Sequence, residues 1–115
     1  MSRVRPLPKV AAAVVAAGMI AAATPAMSGC FELIGCTDSE YFSESQLRRL
    51  SCDALWTVRN TMFYENGYCF QTAKGKQVFG NAGCKYTVSG KVPLNKYERA
   101  NVETVKRVEA RKGCG

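Results

Sequence analysis

Six cysteines and a complete lack of histidine define the chemistry open to this chain. The cysteines are Cys30, Cys36, Cys52, Cys69, Cys84 and Cys114. No two have the C-x-x-C spacing of redox motifs or zinc ribbons. Without histidine a Cys₂His₂ zinc site is excluded, and a Cys₄ site competes with the disulfides that an even cysteine count favours. No metal and no cofactor is therefore expected. Serine and cysteine nucleophiles lack a histidine base, and no S-x-x-K arrangement is present. The carboxylates Asp38, Glu40, Glu44, Asp53, Glu65, Glu98, Glu103 and Glu109 show no motif that pairs two acids across a cleft, as glycoside hydrolysis requires. The expectation is that the chain is not an enzyme, with a small hydrolase resting on one of these acids as an alternative.

Binding chemistry has better material. Arg59-Asn60 is the most distinctive polar pair, because a guanidinium can grip carboxylate or phosphate at two points. Tyr68 joins them as a candidate binding residue. The competing reading is structural: Arg59 pairs with an acid on the last helix, such as Glu98, and Asn60 satisfies loop backbone groups. Trp56, Tyr68, Phe70, Phe79 and Tyr86 either form an aromatic binding shelf or supply the buried area that a small domain needs. The second reading is preferred.

The setting follows from the N-terminus. Arg3, Arg5 and Lys9 precede an apolar run from Val10 to Ala23, and Thr24-Pro25-Ala26 places small residues before a cut after Ala26. This is the three-part pattern of a secretory leader over residues 1–26. The run is shorter than the about 20 apolar residues of a transmembrane helix, so no stable membrane span is expected after leader removal. Met27-Ser28-Gly29-Cys30 offers a rival reading as a lipobox, but lipidating Cys30 would leave an odd cysteine. The expected location is periplasmic or secreted, with a lipoprotein anchored through Cys30 as the alternative. The leader holds three of the sixteen basic residues and none of the nine acidic ones, which leaves a mature charge of +4. That is too modest and too scattered for a nucleic-acid partner.

The elements that must position these residues are helical. Ser43-Glu44-Ser45-Gln46 fits a capping box for a short helix carrying Leu47 and Leu50. Ser51 caps the main helix, read over residues 52–65, with Leu55, Val58 and Met62 at helical spacing and Asn66-Gly67 as its stop. Residues 72–79 read as a weak helical turn, and Gly80-Asn81-Ala82-Gly83 as a turn cluster. Lys85 to Lys91 is a short strand or a loop. Asn95 and Glu98 announce the last helix with a second box, and Tyr97, Val102, Val105 and Val108 share one face. Its cations, Lys106, Arg107, Arg111 and Lys112, suit the C-terminal dipole. The fold class is mainly α: a small disulfide-stapled domain of two main packed helices with short accessory helices and a short strand.

Six cysteines allow fifteen pairings. Cys52 opens the main helix and Cys114 follows the last one, so antiparallel packing brings them together. Cys69–Cys84 then closes the middle loop, and Cys30–Cys36 remains as a local pair. Each closed loop is worth about 2–4 kcal/mol.

The pattern Leu47…Leu50-Ser51, Leu55-Trp56-x-x-Arg59-Asn60, Gly67-Tyr68-x-Phe70, Phe79 and Leu94…Glu98-x-x-Asn101-Val102…Glu109 resembles the YARHG domain family. The likeness covers about residues 43–112 and is nearest to small exported bacterial members with Gly-Tyr-Cys-Phe and Phe-Gly-Asn-Ala-Gly-Cys, here residues 67–70 and 79–84. It implies an extracytoplasmic setting and no established activity. The name-giving five residues fall on Phe63-Tyr64-Glu65-Asn66-Gly67, of which only Gly67 is retained, so a site built on the family's Arg or His is not expected. Residues 27–42 then form an extension with a local cysteine loop, and 43–115 the YARHG-like domain. The expected function is an exported interaction or structural module of the bacterial envelope, its partner an unknown envelope protein or anionic polymer. The alternative is a cationic protein that binds or antagonises by acting on anionic polymers or lipids.

Overall fold

The computed structural model of the protein describes residues 29–115, so the leader, and Met27 and Ser28 of the lipobox, lie outside the described residues. Two long helices carry the architecture. The first, α2, spans Cys52–Glu65 and follows a short helix, α1, at Glu44–Leu47. Ser51 Oγ accepts from the Ala54 N–H at 3.1 Å, which satisfies one of the free donors at the start of α2. The helix stops at Asn66, and Gly67 takes φ +92°, a left-handed conformation that side chains disfavour. The last helix, here α4, spans Lys96–Lys112. Its capping box is complete: Asn95 Oδ1 accepts from the Glu98 N–H at 2.9 Å, and Glu98 Oε1 accepts from the Asn95 N–H at 2.8 Å. The box at α1 is only half made, with Ser43 Oγ accepting from Gln46 N–H at 3.4 Å while bonding sideways to Ser45 Oγ at 2.8 Å.

Helices α2 and α4 lie antiparallel, and three ties along their length fix this. Cys52, at the start of α2, is bonded to Cys114 just beyond α4. Arg59 meets Glu109 midway. Asn66, at the end of α2, donates to Glu98 in the first turn of α4. Leu55, Val58 and Met62 of α2 and Val102, Val105 and Val108 of α4 are buried in this seam with Leu47 of α1. Burying an aliphatic side chain of this size contributes about 1.5–3 kcal/mol, so this seam is the main stabilising element.

The N-terminal segment closes the same core. Strands β1 (Cys30–Phe31) and β2 (Gly35–Cys36) pair antiparallel in a hairpin crosslinked by Cys30–Cys36. Ile34 and Phe42 enter the core cluster. A thioether to lipid at Cys30 would need the sulfur that this disulfide uses.

Of the two readings of Lys85–Lys91, a short strand or a loop, the loop is formed. Tyr86 makes a single parallel bridge to Tyr68, and Ser89–Lys91 is a 3₁₀ turn. The bridge consists of Tyr86 N–H donating to the Gly67 carbonyl at 2.9 Å and Cys69 N–H donating to the Tyr86 carbonyl at 2.7 Å. The Cys69 carbonyl, which the next rung would use, accepts from Gln71 Nε2 at 2.8 Å instead. Helix α3, Ala73–Val78, occupies the middle loop and is capped by Thr72. Cys69–Cys84 closes that loop.

Candidate functional site

Arg59, Asn60 and Tyr68 converge on one surface cleft of about 420 Å³, between α2, α4 and the Ser89-Gly90 turn. Arg59 and Asn60 arrive on α2, and Tyr68 arrives through the tight exit that Gly67 permits. Lys106 and Glu103 of α4 complete the rim.

The Arg59 guanidinium pairs with an acid of the last helix, but with Glu109 and not Glu98. Its Nε donates to Glu109 Oε1 at 2.8 Å and its Nη2 to Glu109 Oε2 at 3.1 Å, a two-point pair. Glu98 is already committed, with Oε1 capping its own helix and Oε2 accepting from Asn66 Nδ2 at 2.9 Å. Antiparallel packing also sets Glu98 beside the end of α2, about two turns from Arg59. Asn60 does not serve the loops either: its Nδ2 donates to the Trp56 carbonyl one turn back at 2.9 Å.

That loop-binding work falls to Asn101. It is 1% exposed, accepts from the Phe42 N–H at 2.9 Å, and donates to the carbonyls of Thr37 and Glu40 at 3.0 and 2.8 Å. The sequence signal was present: an amide on the face of Val105 and Val108 sits in a core only if buried backbone needs it. Asn81, read as a turn residue, acts similarly. Its side-chain amide accepts from Phe70 N–H at 2.7 Å and donates to Phe70 O at 3.0 Å, imitating a strand neighbour.

The aromatics are mostly packing. Phe70 stacks on Phe79 with centroids 5.0 Å apart, Trp56 and Tyr64 tilt onto Phe79, and Tyr68 meets Phe70 and Phe63 edge-on. Lys74 Nζ lies 4.2 Å from the Trp56 ring centroid. Tyr86 stands outside this chain and covers Gly67.

A second cleft, about 510 Å³, opens where α2 ends. Tyr64, Tyr68 and Tyr86 line it together with Glu65 and Lys85, and Gly80 and Gly83 form a wall without side chains. Glu65 is exposed, yet its carboxyl is pushed up to about 7, first by desolvation and then by the charges of Asp38 and Glu98. Beside it, the Thr37 hydroxyl is fully buried without a hydrogen-bond partner.

A third feature is cationic. Glu44 of α1 gathers Arg111 at 2.6 Å, Arg107 at 3.3 Å and Arg48 at 3.5 Å. Hydrogen bonds from Arg111 and then Arg107 hold the Glu44 carboxyl below its ordinary value.

Among the described residues, no group of three or more Cys, Asp or Glu side chains is placed to hold a metal ion. None of the described helices is long and apolar enough to cross a membrane. Three disulfides are chemistry of an oxidising compartment.

No curated protein and no solved structure matches the sequence. The YARHG domain matches over residues 31–110, a span that contains α2, the middle loop and nearly all of α4 and of the N-terminal hairpin. By that match over most of its length, the chain belongs to the YARHG domain family.

Proposed function

We propose that the protein is a small non-catalytic interaction module of the bacterial envelope, periplasmic or secreted, which holds a polar partner in the cleft between α2 and α4. The observation that carries this reading is the convergence of Arg59, Asn60 and Tyr68 on that cleft, on a scaffold held rigid by the α2–α4 seam and by Cys52–Cys114. Glu109 takes the Nε and Nη2 donors of the guanidinium, and Lys106 lines the same cleft as Arg59. A rigid cleft with a few polar groups is the usual form of a recognition site. The test is a photo-crosslinking side chain at Ser89, within the exported protein in intact cells. A single crosslinked species that disappears in Tyr68→Ala, with that variant still folded, supports the reading. Crosslinks that are diffuse, or indifferent to Tyr68, reject it. Turnover is a separate matter: a hydrolase would rest on Glu65, and any hydrolytic activity abolished by Glu65→Gln would replace binding with catalysis.

The arginine cluster favours a second reading, in which the cationic face binds anionic polymer or lipid. Arg48, Arg107 and Arg111 share the single carboxylate of Glu44, and Lys112 lies against Arg48, so positive charge is in excess there. Retention on phosphatidylglycerol vesicles that falls steeply with salt is the expected behaviour. Salt-insensitive or absent retention excludes it.

A further inference from the structure

We propose that the tyrosine-lined cleft at the C-terminal end of α2 binds an alkylammonium group, held by the faces of Tyr64 and Tyr86 and by the carboxylate of Glu65.

Three independent features meet there. The first is the supply of rings. Tyr64 is 45% exposed although it is large and lies on a helix, and Tyr68 and Tyr86 line the same cleft. An aromatic face attracts a cation within about 6 Å of its centroid, and a cleft that excludes water strengthens the attraction. The rings of this cleft are not already occupied in that way. Among the described residues the cation–π pairs are Lys74 with Trp56 and Lys96 with Tyr97, neither of which involves the three tyrosines.

The second feature is charge. Glu65 lines the cleft, with Asp38 and Glu98 close enough to act on it through space. Glu98 spends both oxygens on Asn95 and Asn66, and Glu65 is the one acidic residue among the described residues that line the cleft. Negative potential concentrated at one end of a cleft is relieved by a bound cation and worsened by an anion. Lys85 on the opposite side works against this, which makes its removal informative.

The third feature is access. Gly80 and Gly83 present bare backbone, and a Cβ built at either would meet nothing within 4 Å. A bulky methylated ammonium therefore has room to approach.

Two sources share this chemistry, a choline-type headgroup and a primary amine. The experiment is an NMR titration of the mature, disulfide-intact protein, following the ring signals of Tyr64, Tyr68 and Tyr86. The probes are choline chloride, methylammonium chloride and the uncharged isostere of choline in which tert-butyl replaces trimethylammonium. Saturable shifts with either ammonium and none with the isostere support the proposal, and the stronger of the two ammonium probes identifies the source. Tyr86→Leu should weaken binding by roughly tenfold while Tyr86→Phe keeps it. Glu65→Gln should also weaken it, and Lys85→Ala should strengthen it. Equal binding of the isostere, no saturable shift, or affinity unchanged by Glu65→Gln in a folded variant overturns the proposal.

Discussion

At the scale of single residues, the polar side chains divide by whether their partners are already in the fold. Arg59 is largely spent on Glu109, in a pair whose side chains are 26% and 12% exposed. That environment lies between an open surface pair and a buried one. A double-mutant cycle with Arg59→Ala and Glu109→Ala should therefore give a coupling of about 1–2 kcal/mol in chemical denaturation. A coupling near zero would mean that the pair is dispensable. Glu65 behaves oppositely, because the fold raises its carboxyl from 4.5 to about 7. The folded state then holds the proton more tightly than the unfolded chain. Its favourable contribution is complete below pH 4.5 and is lost as pH rises through about 7. Glu65→Gln should flatten stability over that window, by less than about 1 kcal/mol given its contact with solvent. Glu44 acts in a different window: its lowered pKa gives stability that is present above 4.5 and lost as pH falls below it. Thermal melts from about pH 2 to 8, roughly spanning both carboxyl ranges, separate the two.

At the scale of elements, local sequence and packing sometimes disagree, and α3 shows which prevails. Gly75 lies inside this helix, where alanine would ordinarily gain about 1 kcal/mol. Here a Cβ would come within 2.6 Å of Phe70 Cδ1 and 2.9 Å of Phe70 Cγ. The Phe70 ring is 3% exposed and stacked on Phe79, so it has little freedom to move away. Gly75→Ala should consequently destabilise by about 1–3 kcal/mol, an overpacking cost, as read by denaturant midpoint. A gain in stability would show that the ring yields. The long helices were legible because their caps and stripes are local: Ser51, Asn66-Gly67 and the Asn95–Glu98 box mark their ends within a few residues. The β1–β2 hairpin was not, since two-residue strands carry no periodicity and owe their pairing to a disulfide. Of strand or loop near Tyr86, the loop prevails for the converse reason. Tyr86-Thr87-Val88 has strand-forming residues, but β-structure also needs a neighbour, and after one bridge the Cys69 carbonyl is taken by the Gln71 side chain while the chain turns at Ser89–Lys91.

At the scale of the whole molecule, Cys52–Cys114 closes a loop with sequence separation 62, far longer than the 15 of Cys69–Cys84 or the 6 of Cys30–Cys36. Longer loops remove more freedom from the unfolded chain, so this crosslink should stabilise most, by roughly 4 kcal/mol. The Cys52→Ser, Cys114→Ser double variant should lose about that amount. Non-reducing peptide mapping should recover Cys52 linked to Cys114, and a fragment joining Cys69 to Cys114 would contradict the antiparallel pair.

The sequence by itself determined the helices, their caps, the lack of histidine chemistry and the family likeness, because each of these rests on neighbours a few residues apart. Only the tertiary structure decided which acid meets Arg59, that Asn101 rather than Asn60 binds the N-terminal loop, and that three tyrosines and Glu65 share a cleft. Those pairings span tens of residues. They depend on how far one helix is displaced along the other, and a single turn of about 5.4 Å exchanges one partner for the next.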